Sequence, residues 1–233
     1  MISLSNNTKF KTIEESLFSN LDNITGGAYD NKAKMYERLV GSKLYNKIMW
    51  GTSPADYTTF AEQALNNSTG TVLDIGCGGL IQTANLYSRG KANYILLDNS
   101  IEMLKIGKQR IIDLCTKVPD TINFLQGDAF NLPFEDNSLD AVFSFGVLHV
   151  FENKKALIHE ALRVLKPGHK FYFTSLTSDR VISKAYMNLL RGQKEFGEPL
   201  TSKQTLELFD PTRIDIESYV KGSMIFISGI KLH

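Results

Sequence analysis

The run "VLDIGCGGL", Val72 to Leu80, sets three glycines and a cysteine directly behind an apolar segment that carries an aspartate. Glycine tolerates positive φ and leaves bare peptide open to a ligand, and a helix starting just after such a turn offers free N–H groups. A tight strand-to-helix turn also needs glycine for geometry alone, so the run by itself supports either reading. A second acid follows about twenty residues on. Asp98 ends the apolar run "NYILLD", where a carboxylate can accept bonds from both hydroxyls of a ribose. Asn99 and Glu102 have the spacing of a capping box for the next helix.

A ligand site of that kind requires the glycine run to sit at the carboxyl edge of a parallel sheet. The rest of the chain fits this requirement. From Thr71 onward short apolar runs alternate with longer amphipathic ones: "TVLDI" then 80–89, "NYILLD" then 100–115, "TINFLQ" then a loop, "LDAVFSF" then 153–165, "KFYFTSL" then 178–191. Apolar runs without period-2 alternation suit strands buried on both faces, with the helical stretches as crossovers. The pattern predicts a doubly wound, Rossmann-like α/β sheet, mainly parallel. In the tail, "RIDIESYV" and "SMIFISGIK" are separated only by Lys221 and Gly222, which is hairpin spacing. The last strand is therefore expected to be antiparallel. Ahead of the first strand, Ser53 is placed to cap a helix with Pro54 at its first position and Tyr57, Phe60, Ala61, Ala64 and Leu65 on one face. Residues 1–52 read as an N-terminal helical appendage and 53–233 as the ligand-binding domain.

Composition narrows the function classes. The 233 residues, 42% of them hydrophobic, suffice for one well-buried core. Lys and Arg number 26 against 25 Asp and Glu, a formal charge of +1, so no global field draws the chain to nucleic acid or an anionic surface. Two cysteines, Cys77 and Cys115, make no disulfide framework and stand at no metal-ligand spacing. No stretch has signal-peptide or membrane-spanning character. The expectation is a soluble cytoplasmic protein without a metal.

Four segments in order, "VLDIGCGG", "LLD", "GDAFNLPFEDNSLDAVFSFGVLHV" and "ALRVLKPG", resemble the successive motifs of class I S-adenosylmethionine-dependent methyltransferases. The likeness is to the branch of the ubiquinone and menaquinone C-methylases and covers roughly residues 71–176; "YDNKAKMYERLVGSKLYNKIMW" is more weakly similar to that branch's N-terminal element. The resemblance implies a seven-stranded sheet and S-adenosyl-L-methionine as cofactor, with S-adenosyl-L-homocysteine as product. It further implies that Asp74 and the backbone of Gly76, Cys77, Gly78 and Gly79 hold the methionine part. Asp98 would take the ribose with Asn99 beside it, Asp128 and Ala129 the adenine, and Phe145 and Gly146 would wall the pocket. The family reads GxGxG, whereas the third glycine position here is Leu80; Gly79 is expected to supply the freedom instead. A nicotinamide dehydrogenase is the nearest rival, but its GxGxxG fails at Ile81, and the pair Tyr87 and Lys91 falls on the wrong helix. A base methylase is disfavoured by "SFGV" where an Asn-Pro-Pro-aromatic loop belongs. A non-catalytic cofactor-binding module is the third class.

Methyl transfer from a sulfonium needs alignment and a dry pocket, and a base only where the acceptor must lose a proton. His149, after the fourth predicted strand, is the candidate base, or else a packed residue that closes the cofactor site; His159 reads as surface or core. A carboxylate acceptor would need no base. Tyr29, Tyr36, Tyr45 and Trp50 are candidates for an acceptor pocket, or pack the N-terminal helices onto the sheet. Residues 177–199 occupy the place where this family inserts acceptor-recognition elements. Together with 26–57, hinged at Gly26, Gly27, Gly41 and Gly51, they are expected to cover the methyl group. The acceptor would be a small molecule or a peptide, not a nucleic acid.

Overall fold

The computed structural model describes residues 9–22 and 41–233. Its strands are β1 (Lys11–Glu14), β2 (Leu17–Ser19), β3 (Thr71–Ile75), β4 (Asn93–Asp98), β5 (Ile122–Gln126), β6 (Leu139–Phe145), β7 (Leu165–Leu176), β8 (Ile214–Lys221) and β9 (Met224–Lys231). They form one sheet in the order β1-β2-β5-β4-β3-β6-β7-β9-β8. Strands β2 to β7 pair in parallel along the sheet, and β9 runs antiparallel between β7 and β8. The order reverses between β3 and β6, which lie side by side, and this crevice is where ligands bind in open α/β sheets.

Consecutive residues of the central strands feed opposite cores. Val72, Tyr94, Leu96 and Phe143 join the cluster on one face, and Leu73, Ile75, Ile95, Leu97 and Val142 the cluster on the other. Burial on both faces is why the runs show no polar alternation.

The sheet has nine described strands where seven were expected. The two extra strands come from a segment read as purely helical. There, β1 and β2 form a short hairpin whose second strand adds in parallel to β5, Leu17 facing Phe124. Lys108 on the helix after β4 meets Glu14 at 3.3 Å and ties the addition down. Strands of four and three residues at an edge carry too few positions for a periodicity to show.

The helices are α1 (Lys43–Tyr45), continued by a π-helical turn at Asn46–Trp50, α2 (Pro54–Asn66), α3 (Ala84–Tyr87), α4 (Ile101–Cys115), α5 (Lys154–Val164), α6 (Val181–Gly192) and α7 (Ser202–Leu206). Helix α2 starts with the expected cap: the Asp56 N–H donates to Ser53 Oγ at 3.3 Å and the Ser53 N–H to Asp56 Oδ2 at 3.0 Å. Its buried face is Phe60, Ala61, Ala64 and Leu65. For α4 the expected cap is one residue off. Ser100, not Asn99, accepts the Met103 N–H at 3.2 Å, because Asp98 Oδ1 takes the Ser100 N–H at 2.9 Å and fixes the chain there. The tail hairpin turns at Gly222 and Ser223, one residue later than read, with Lys221 opposite Met224. The tip of that hairpin positions the site. The Ser223 N–H donates to the Trp50 carbonyl at 2.6 Å, Ser223 Oγ and Ser183 Oγ are 2.6 Å apart, and Ser183 Oγ donates to the Met49 carbonyl at 2.8 Å.

Candidate functional site

The chain leaves β3 through Gly76 (φ +73°) and Gly78 (φ +57°). The N–H groups of Gly76 and Cys77 both donate to the Leu97 carbonyl, at 2.8 and 3.0 Å, so the turn stays docked on β4. Asp98 completes the clamp, accepting the Gly78 N–H on Oδ2 at 2.9 Å. The two glycines serve different ends. A Cβ on Gly76 would stand 2.7 Å from Val147 Cγ2, whereas one on Gly78 would meet nothing within 4 Å. Gly76 is required by the protein's own packing; Gly78 turns an open face to the pocket above it, which both residues line.

Leu80 resolves the missing third glycine. Its own φ is +58°, and Gly79 is not among the residues with positive φ, so the freedom expected of Gly79 is not used. A left-handed leucine costs about 1–2 kcal/mol. Burial offsets that cost: Leu80 is 2% exposed and packs on α4 at Gly107, where an added Cβ would meet Leu80 Cγ at 3.1 Å. The Arg110 guanidinium donates to the Gly79 carbonyl. A leucine locked under α4 thus ends the turn, and only Ala84–Tyr87 of the expected helix over 80–89 forms.

The pocket over the turn gathers Gly76, Cys77, Gly78, Gly79, Asp98, Phe145, Gly146 and His149, with Tyr45 and Trp50 on its far wall. Four sequence candidates do not line it: Asp74, Asn99, Asp128 and Ala129. Asp74 lies behind the turn in the core, where Tyr87 Oη donates to its Oδ2 at 2.7 Å and its Oδ1 has no partner. Burial, opposed by that bond, pushes its carboxyl up to about 7. Asn99 accepts from Gln126 Nε2 through its carbonyl at 3.1 Å. Asp128 holds its own loop, accepting the Phe130 N–H at 2.9 Å, and Ala129 packs against the core on the opposite face of the sheet. Tyr29, Tyr36, Gly26 and Gly27 lie outside the described residues. Burial raises the Cys77 thiol well above its ordinary value, so it stays protonated and is no nucleophile.

His149 follows β6 in a single 3-10 turn and is buried. Its Nδ1 accepts the Leu176 N–H at 3.2 Å. A backbone amide can only donate, so the ring proton sits on Nε2 and the residue presents a donor, not a base. Burial, with Lys154 adding to it, takes the imidazole down to about 3. Its ring packs on Phe196 at 4.6 Å, which stacks in turn on Trp50 at 6.3 Å and 14°. Tyr186 completes this wall, 5.6 Å from Trp50, with Tyr45 Oη donating to Tyr186 Oη at 3.2 Å. On the near side Tyr57 Oη donates to the Phe145 carbonyl at 3.2 Å.

Sequence reasoning named the 177–199 stretch but not Tyr186, Phe196 or Glu195, and placed Tyr57 only on a helix face; all four line the pocket. The composition of 177–199 was the available signal, and it cannot say which residues turn inward. Among the described residues no group of three or more His, Cys, Asp or Glu is placed to hold a metal. No described helix is long and apolar enough to cross a membrane.

Residues 73–173 match the family model described as a methyltransferase domain. The resemblance read from the four motifs therefore holds over the stretch that builds the glycine turn, Asp98 and the β6 edge. Over 100 residues, 42% of this chain and 38% of the relative, the sequence is 46% identical to the demethylmenaquinone methyltransferase of Renibacterium salmoninarum. Over 149 residues, 61% of this chain and 57% of the relative, it is 34% identical to the ubiquinone/menaquinone biosynthesis C-methyltransferase UbiE of Pseudomonas savastanoi pv. phaseolicola. The chain thus spans less than two thirds of these relatives' own length. Among solved structures, geranyl diphosphate C-methyltransferase from Streptomyces coelicolor A3(2), in complex with S-adenosyl-L-homocysteine, superposes with a TM-score of 0.61 at 14% identity, covering 76% of this chain and 77% of that one. The [4+2]-cyclase SpnF superposes at 0.67 and 15% identity, over 88% and 94%. At such identities the likeness is one of fold, and the cyclase shows that the fold alone does not fix the reaction.

Proposed function

We propose that the chain binds S-adenosyl-L-methionine at the glycine turn and transfers its methyl group to carbon of a small, quinol-like ring. One observation carries the reading: the turn and Asp98 share a single pocket with the aromatic wall of Trp50, Tyr186 and Phe196. The residues present fit the cofactor. Gly78 offers an open backbone face, and Asp98, held by two backbone N–H groups, is fixed at the strand end where a ribose is gripped. The bound cofactor supplies an electrophilic methyl group, so the chain's own task is alignment and exclusion of water. Flat rings on the far wall suit a flat acceptor, and the names of the curated relatives point to quinone substrates. His149 Nε2–H donates toward an acceptor oxygen. Glu195 is the pocket carboxylate outside the turn and takes the phenolic proton that carbon attack requires. The acceptor side is covered by α6 and the segment through Trp50.

Asp98→Ala should weaken S-adenosylhomocysteine binding at least tenfold, about 1.4 kcal/mol for one charge-assisted contact. Titration calorimetry giving equal affinity in variant and parent would remove Asp98 from the cofactor site. For the acceptor, labelled cofactor should methylate a short-chain reduced naphthoquinone and leave an aromatic carboxylate unmodified, with Glu195→Gln lowering kcat more than it changes KM. Label appearing on the carboxylate instead, as an ester, would overturn the quinol assignment. Binding of cofactor without transfer to either acceptor class would favour a non-catalytic module.

A further inference from the structure

The two helical segments that wall the acceptor side of the pocket turn apolar side chains outward as well as inward. Along Lys43–Trp50, Tyr45 and Met49 face α6, at Tyr186 and Ser183 respectively. Rising numbers on one segment meet falling numbers on the other, so the pair is antiparallel. In an antiparallel pair of right-handed helices the residues one step before the facing ones lie on the same side. On one segment these are Leu44 and Ile48, and on the other Ile182 and Ala185, with Leu189 in line one turn further. They form one stripe, and it is open: Leu44 is 69% exposed, Ile48 54%, Ile182 52% and Leu189 57%, with Val181 beside them at 86%.

Charge sets the kind of partner. Lys43–Trp50 and Val181–Gly192 contain Lys43, Lys47, Lys184 and Arg191 and no acidic residue. Arg191 is engaged with Glu152 at 3.0 Å; exposed Lys43 and Lys47 flank Leu44 and Ile48 on the first segment, while Lys184, one step after Ser183, lies on the other side of α6 with Asn188 and Arg191. An apolar helical face edged by lysine is the signature of a segment that lies in a membrane interface. A second copy of the chain fits poorly, because a two-fold contact would set the same lysines against one another without an acid to meet them.

From this juxtaposition we infer that Leu44, Ile48, Ile182 and Leu189 form a docking face for a bilayer bearing anionic headgroups, with the acceptor pocket opening on the other side of the same two segments. The inference stands on the surface alone and does not require methyl transfer.

The test is co-sedimentation of the full chain with vesicles of phosphatidylcholine, and of phosphatidylcholine with one third phosphatidylglycerol. Binding is expected to the second only, to fall with added salt, and to drop at least tenfold in Ile182→Glu/Leu189→Glu. Both changed residues are exposed and outside the pocket, so an unchanged melting temperature certifies the fold independently of any ligand. Should that melting temperature fall, Lys43→Glu/Lys47→Glu serves the same purpose by charge reversal. No binding to anionic vesicles, or binding indifferent to the variants, overturns the inference. Sedimentation velocity showing a dimer that the same variants dissolve also overturns it, and gives the face to a second copy.

Discussion

Gly76→Ala is expected to lower stability by about 3 kcal/mol and to remove detectable cofactor binding, whereas Gly78→Ala should cost about 1 kcal/mol and weaken binding with little change in melting. The two positions look alike in sequence and share a left-handed backbone, at φ +73° and +57°. An alanine at either pays about 1–2 kcal/mol for that conformation. Only at Gly76 does the new methyl run into the protein, 2.7 Å from Val147 Cγ2 and 2.9 Å from Val147 Cβ, adding overpacking of about 1–3 kcal/mol. Because β3 and β6 are neighbours here, the collision parts the two strands that frame the crevice. Gly76→Ala/Val147→Ala should therefore recover only part of the lost stability, since it removes the γ-methyl contacts but keeps the 2.9 Å approach to Cβ and the dihedral. Thermal melts of the three variants, paired with calorimetry for S-adenosylhomocysteine, check this. If both single variants melt alike, or the second change rescues nothing, Val147 is not what makes Gly76 necessary.

That contrast marks where sequence reading ends. The glycine turn, Asp98 and the alternating elements were legible because each is set by local chemistry: positive φ, a strand-end carboxylate, apolar runs of strand length. Leu80 was legible only as a departure. Its left-handed backbone is held by Gly107 and Arg110 on a helix about thirty positions later, and no local rule reports that contact. The role of His149 likewise depended on a partner 27 positions away. The Leu176 N–H, at the end of the neighbouring strand, turns a candidate base into a donor. Asp74 sits inside the motif, yet strand alternation carries its side chain into the core beside Tyr87 rather than over the turn. The pocket's far wall was the least readable, since Trp50, Ser183 and Ser223 meet through the tip of the tail hairpin. Strands β1 and β2 were invisible because the hairpin is held to the sheet by the pairing of β2 with β5, which is tertiary.

Asp74→Asn and His149→Gln should tilt the pH dependence of stability in opposite directions between about pH 4.5 and 6.5. Both side chains are buried without charge, but from opposite sides of neutrality. Native Asp74 keeps its proton up to about 7, while an unfolded carboxyl loses it near 3.9. Its contribution is therefore full below pH 4 and is lost as the pH rises toward 7. Native His149 stays neutral down to about 3, while an unfolded imidazole takes a proton near 6.5. Its contribution is full above 6.5 and is lost as the pH falls. Each slope is at most about 1.4 kcal/mol per pH unit, so over the shared window the two nearly cancel and the parent protein should be almost flat. Removing one exposes the other. Asp74→Asn retains an acceptor for Tyr87 and should gain stability with rising pH by about 2 kcal/mol across the window. His149→Gln retains an acceptor for the Leu176 N–H and should lose a similar amount. The paired acids Asp56, Asp140 and Glu160 are all held below their ordinary values, so their own losses fall at lower pH and leave this window clear. Urea unfolding of the three proteins at pH 4.5, 5.5 and 6.5 reads the slopes directly. Two variants that tilt the same way, or a parent slope that neither changes, would mean that at least one of these groups is charged in the folded protein, and for His149 that would return the imidazole to the list of candidate bases.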